Sequence, residues 1–117
     1  MASLLSKIIF ICHPWRGNDT SHIENNNPEL TKRICSYIAM NTDDTPLSTA
    51  LYLNQFLNDD IDAERQLGIK LGHELMEKCD VVYSYEMNGI SEGMKVDLEF
   101  AKKLEKPVKK FDQYPWG

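Results

Sequence analysis

The chain of 117 residues is 42% hydrophobic and 26% charged, the balance of one ordinary globular domain, which excludes a disordered or fibrous chain and a second independent core. Against 18 acids stand 13 lysine and arginine residues, a net charge of −5. That is the wrong sign for a duplex-DNA binder, which needs a basic face to displace counterions. Cys12, Cys35 and Cys79 are odd in number and form no C-x-x-C pair, so neither a disulfide framework nor a metal cage is expected, and a reduced cytoplasmic setting follows. The apolar start is interrupted by Lys7 and followed by His13-Pro14-Trp15-Arg16, which fits neither a secretory leader nor a membrane span.

In chain order, residues 6–13 (SKIIFICH) form a continuous apolar run, the pattern of a strand buried on both faces. Residues 13–19 break it with Pro, Gly, Asn and Asp. Asn27-Pro28-Glu29 starts a helix, with an Asx cap and proline in the first turn, and Leu30, Ile34, Tyr37 and Ile38 form its stripe. Residues 46–53 (PLSTALYL) read as a weaker second strand, and residues 54–60 as a loop. Asp59 or Asp60 is expected to cap a second helix reaching about Lys78. On it Leu67, Leu71 and Leu75 repeat every four residues, while Gly68 and Gly72 permit close approach to a sheet. Residues 81–85 (VVYSY) form a third strand, Asn88-Gly89 a turn, Ser91 a cap for a helix to about Leu104, and residues 107–111 a last strand.

Strands alternating with helices of crossover length imply one α/β domain over residues 1–117. The expected architecture is a three-layer Rossmann-like fold, its mostly parallel sheet of about four or five strands ordered 2-1-3-4, with helices on both faces. Ligands of such sheets bind at the carboxyl ends of the strands, at the switch point in strand order. Those ends carry His13-Pro14-Trp15-Arg16-Gly17 and the loop leading to Ser91-Glu92-Gly93-Met94. Arg16 offers a fork of donors for phosphate or carboxylate, Trp15 a stacking face, and Ser91-Glu92-Gly93 either a helix start open to an anion or a plain cap.

At ~100° per residue, Asp97 falls on the same arc as Met94, Leu98, Ala101 and Leu104. A carboxylate there faces a ligand pocket, as nucleophile, base or ribose-hydroxyl acceptor, or is paired with a buried hydroxyl or arginine, or sits at an exposed edge of the stripe. His13, His22 and His73 lack metal-ligand spacing, and no G-x-G-x-x-G, Walker loop or G-x-S-x-G elbow occurs, so no metal and no cofactor are expected.

The stretches I-F-I-C-H-P-W-R-G (9–17), Q-F-L-N-D-D-I-D-A-E-R-Q-L-G (55–68), K-C-D-V-V (78–82) and G-I-S-E-G-M-K-V-D-L-E-F-A-K-K-L-E-K-P-V (89–108) resemble the nucleoside 2-deoxyribosyltransferase-like superfamily, in its branch of small phage and bacterial proteins. The resemblance implies a nucleoside or nucleotide ligand and a homodimer or higher homo-oligomer. It aligns Asp97 with the acid that attacks the anomeric carbon, usually a glutamate, and Arg16 with an arginine near the sugar or phosphate. Phe10 stands where a tyrosine hydroxyl orients that acid, and no second acid lies around Gly72. The expected function is therefore binding of a nucleoside- or nucleotide-type molecule, such as sequestration of a nucleotide signal. The alternative is an N-glycosidase or deoxyribosyltransferase acting on a (deoxy)nucleoside monophosphate, with Asp97 as nucleophile.

Overall fold

The computed structural model describes residues 6–15 and 27–116. Its elements are β1 (Ile8–Cys12), α1 (Asn27–Asn41), β2 (Thr45–Leu47), α2 (Thr49–Leu53), α3 (Asp62–Glu77), β3 (Val81–Tyr85), α4 (Glu92–Lys103) and β4 (Val108–Phe111). The four strands form one all-parallel sheet in the order β2-β1-β3-β4, as the alternation of strands and helices requires.

Side chains along a strand alternate between faces, and β1 is apolar at successive positions, so it must be covered on both sides. Phe10 and Cys12 point to one layer, packing with Met76, Cys79, Val82, Met94 and Ala101. Ile9 and Ile11 point to the other, packing with Ile34, Ile38, Val81 and Tyr85. Helices α3 and α4 thus cover one face, and α1 with the C-terminal segment covers the other. The entry to β1 is held by two carboxylates: the Lys7 amide donates to Asp44 Oδ1 at 2.9 Å and the Ile8 amide to Asp80 Oδ2 at 2.8 Å.

Of residues 46–53, expected to form a strand, only Pro46 and Leu47 lie in one, β2. Pairing with β1 stops at Leu47, and Ser48 begins a helix, its hydroxyl accepting the Leu51 amide at 3.2 Å. A serine cap satisfies a helix amide that an extended chain would offer elsewhere, and Pro46 has no N–H to lengthen the ladder. The start of α3 also differs: Ile61, not Asp59 or Asp60, is its N-cap, and Glu64 reaches back to accept the Asn58 amide at 3.0 Å.

The leucine spacing on α3 does not mark its buried line. Leu67 is exposed, whereas Gly72 and Met76 are buried. The glycines allow close approach to α2 and the loop after it, rather than to the sheet. A Cβ at Gly72 would lie 3.3 Å from Thr49 Oγ1, while one at Gly68 would meet only Leu57 Cδ1, at 3.7 Å. In urea denaturation, Gly68→Ala should therefore stabilise by about 0.5–1 kcal/mol through helix propensity. Gly72→Val should destabilise by about 1–3 kcal/mol through overpacking against α2. Equal effects of the two substitutions would refute this contact as the determinant of the helix's position.

Candidate functional site

The chain leaves β1 toward β2 on one side and later returns as β3 on the other, so the switch point lies between the carboxyl ends of β1 and β3. A cleft of about 480 Å³ opens beside it. One wall comes from the end of β1 and the first turns of α1, with Ile11, His13, Trp15 and Thr31. A second comes from α2, α3 and the loop between them, including Thr49, Leu53, Leu57, Gly68 and Gly72. The start of α4 completes it with Ser91, Glu92, Gly93, Met94 and Asp97.

The structure thus brings together His13, Trp15, Ser91, Glu92, Gly93, Met94 and Asp97. Pro14 is buried beside them without lining the cleft. Arg16 and Gly17, like His22, lie outside the described residues.

Asp97 lies where a carboxylate on an apolar arc is expected to find a cavity or a partner. It lines the cleft and it is paired, but with a histidine: His73 Nε2 lies 3.1 Å from Asp97 Oδ1. A carboxylate only accepts, so Nε2 carries the proton and donates. The imidazole is clamped from behind by Phe100, stacked at 4.1 Å between centroids and 7° between planes. The two side chains are 14% and 30% exposed, so Asp97 is fixed in orientation yet open to a ligand. Sequence reasoning noted of His73 only that it lacks metal-ligand spacing. Its juxtaposition with Asp97 depends on how α3 and α4 cross, although its position next to Gly72, where α3 packs closely on α2, is a usable signal.

Ser91 acts as the cap of α4, its hydroxyl accepting the Met94 amide at 3.2 Å. The turn before it uses Gly89 at φ +88°, a conformation that costs glycine nothing. Beneath the cleft, Cys12 is buried and its Sγ approaches the Met94 carbonyl at 4.0 Å. Burial first, then the negative charges of Asp97 and Glu86, push its thiol far above the ordinary range. Cys12 is thus a protonated core group and not a nucleophile. Its neighbour Ser84 donates to Glu86 Oε2 at 2.7 Å. Among the described residues no group of three His, Cys, Asp or Glu side chains is arranged to hold a metal ion.

His13 is engaged at both ring nitrogens. The Thr31 hydroxyl donates to the Asn27 carbonyl at 2.8 Å, so it accepts from His13 Nδ1–H at 2.9 Å. The other nitrogen, Nε2, accepts from the Tyr114 hydroxyl at 3.0 Å, and Asn88 Nδ2 donates to that hydroxyl at 3.4 Å. Tyr114 stacks on Trp116 at 4.8 Å, and the Arg33 guanidinium covers Trp116 at 4.3 Å. His13 is therefore the neutral Nδ1–H tautomer, a wall of the cleft that ties β1 to α1 and the C-terminal segment.

Burial lowers the His13 pKa from 6.5 to about 4, opposed by a backbone hydrogen bond at Pro14. Between those values the unfolded chain binds a proton that the folded chain refuses, so stability falls as pH drops from 6.5 toward 4 and is unaffected by this group above that window. The full effect is on the order of 3 kcal/mol. Urea midpoints measured across this range should decline for the native protein and decline distinctly less for His13→Gln. Parallel declines would remove His13 as the source.

Residues 7–111 match the model of a family described as a domain of unknown function, DUF7768. No curated protein matches the chain. Since the family model spans nearly all of the fold, from the entry of β1 to the end of β4, the chain belongs to the DUF7768 family.

Proposed function

We propose that this protein binds a nucleoside- or nucleotide-type small molecule in the cleft at the carboxyl ends of β1 and β3. The observation that carries the reading is the Asp97 carboxylate, held by His73 at 3.1 Å and exposed to a cleft of about 480 Å³. The volume lies within the range of small-molecule sites. A fixed carboxylate is a suitable acceptor for sugar hydroxyls, and Trp15, which also lines the cleft, carries a ring on which a base can stack. The resemblance to nucleoside 2-deoxyribosyltransferase-like proteins supports the same assignment independently of this geometry. Sequestration of a nucleotide signal is one use of such binding, and a homo-oligomer remains part of the reading that the resemblance implies.

The His73–Asp97 bond also favours a second reading, an N-glycosidase or deoxyribosyltransferase. Phe10 cannot supply the orienting hydroxyl, but His73 supplies an orienting N–H instead. In that reaction an Asp97 oxygen forms a bond to the anomeric carbon. The base departs with the electrons of the C–N bond and is protonated, and water or a second base releases the sugar from Asp97.

A panel of nucleosides and nucleotides should contain members that raise the melting temperature, since a ligand selective for the folded state stabilises it by mass action. Asp97→Asn should weaken those members by about 1–3 kcal/mol through a lost charged hydrogen bond. No melting shift from any member would overturn the proposal. In the same samples chromatography separates the two readings: free base released by the native protein and abolished in Asp97→Asn identifies the enzyme, and intact ligand identifies the binder.

A further inference from the structure

We infer that Gly68 is the specificity-determining position of the cleft: its bare backbone is the surface against which the base of the ligand lies, and it limits the size of base admitted. This rests on the proposed nucleoside- or nucleotide-type reading and narrows it.

Gly68 lies inside α3, where glycine is the poorest helix former after proline. Nothing in the described fold asks for glycine at this position. Its φ is not positive, that conformation belonging to Gly89. Among the described residues, a Cβ at position 68 would meet only Leu57 Cδ1, at an ordinary contact distance of 3.7 Å. Gly72 differs, because a Cβ there would press on Thr49 Oγ1 at 3.3 Å, so the packing of α2 on α3 accounts for it. What remains at Gly68 is the cleft, which Gly68 and Leu57 both line. A residue that weakens its own helix without a packing reason points to a functional demand, and close approach of a ligand to the backbone is the demand glycine meets best.

The place of Gly68 along α3 fits that role. Cleft-lining residues recur on one side of the helix at Glu64 and Arg65, at Gly68 and Ile69, and at Gly72, so α3 runs along the cleft. At ~1.5 Å rise per residue, Gly68 stands ~6 Å from Gly72 along the axis. His73 follows Gly72 and holds Asp97. A sugar bonded through its hydroxyls to Asp97 therefore has its base within about one helix turn, in reach of Gly68. There the half-buried side chains of Leu57 and Ile69 also line the cleft, and such apolar surface suits the face of a ring.

The test is titration calorimetry of 2′-deoxyadenosine, 2′-deoxycytidine and their 5′-monophosphates on the native chain, Gly68→Ala and Gly68→Leu, with a melting curve of each unliganded protein. Gly68→Ala should melt about 2–5 °C higher than the native chain and yet bind the purine ligands less tightly, a loss that damage to the fold would not produce. Gly68→Leu should weaken the purine ligands by about tenfold or more through overpacking, and the smaller pyrimidine ligands distinctly less. If Gly68→Leu fails to fold, Gly68→Ala carries the same comparison alone. Unchanged affinity for both classes of base overturns the role of Gly68 and leaves the proposed ligand class standing. Equal losses for purines and pyrimidines overturn selection by size at this position. Failure of all four compounds to bind the native chain overturns the proposed function itself, and this inference with it.

Discussion

The burial of β1 on both faces is the constraint from which the rest of the molecule follows. The four consecutive apolar residues Ile9–Cys12 are all buried, and the alternation of a strand sends Ile9 and Ile11 one way and Phe10 and Cys12 the other. The strand must sit inside the sheet with a layer of helices on each side. Its backbone is then paired along both edges, with β2 and β3, and its first amides are received by Asp44 and Asp80. Because all the pairings are parallel, the carboxyl ends of the strands collect at one edge of the sheet. The cleft opens at that edge, where the connections to β2 and from β3 diverge.

The polar groups at that edge fall into two kinds. His13 is spent inside the fold: both ring nitrogens are bonded, the tautomer is set by Thr31, and the ring braces the C-terminal segment through Tyr114. Asp97 keeps one side to the protein and another to the cleft, because His73 reaches it from α3 and Phe100 holds the imidazole flat. The distinction is physical. A buried polar group whose partners are all internal contributes rigidity, whereas one held by a single internal partner beside a cavity can exchange solvent for a ligand. The narrow crossing between α2 and α3 at Gly72 serves the same end, since it sets where α3, and with it His73, stands against α4.

Much of this architecture was legible in the sequence, because it rests on local patterns. The unbroken apolar run of β1, the turn at Asn88-Gly89, the Ser91 cap and the apolar arc of α4 each state a periodicity or a cap that tertiary contacts did not override. The alternation of elements then left few strand orders open, the observed one among them, since parallel crossovers admit few arrangements. The exceptions are instructive. Residues 46–53 carry strand-like side chains, yet Ser48 caps a helix there. The leucines of α3 repeat at helical spacing, yet its buried line runs through Gly72 and Met76.

What the sequence determined by itself was the class of fold, the position of its switch point, and the presence of one acid, Asp97, on a face where an acid is costly. Tertiary structure alone decided what that acid meets. His73 and Asp97 are separated by 24 positions, and His13 and Tyr114 by 101. No periodicity relates such residues, because their meeting depends on how helices cross and where the chain returns over the sheet.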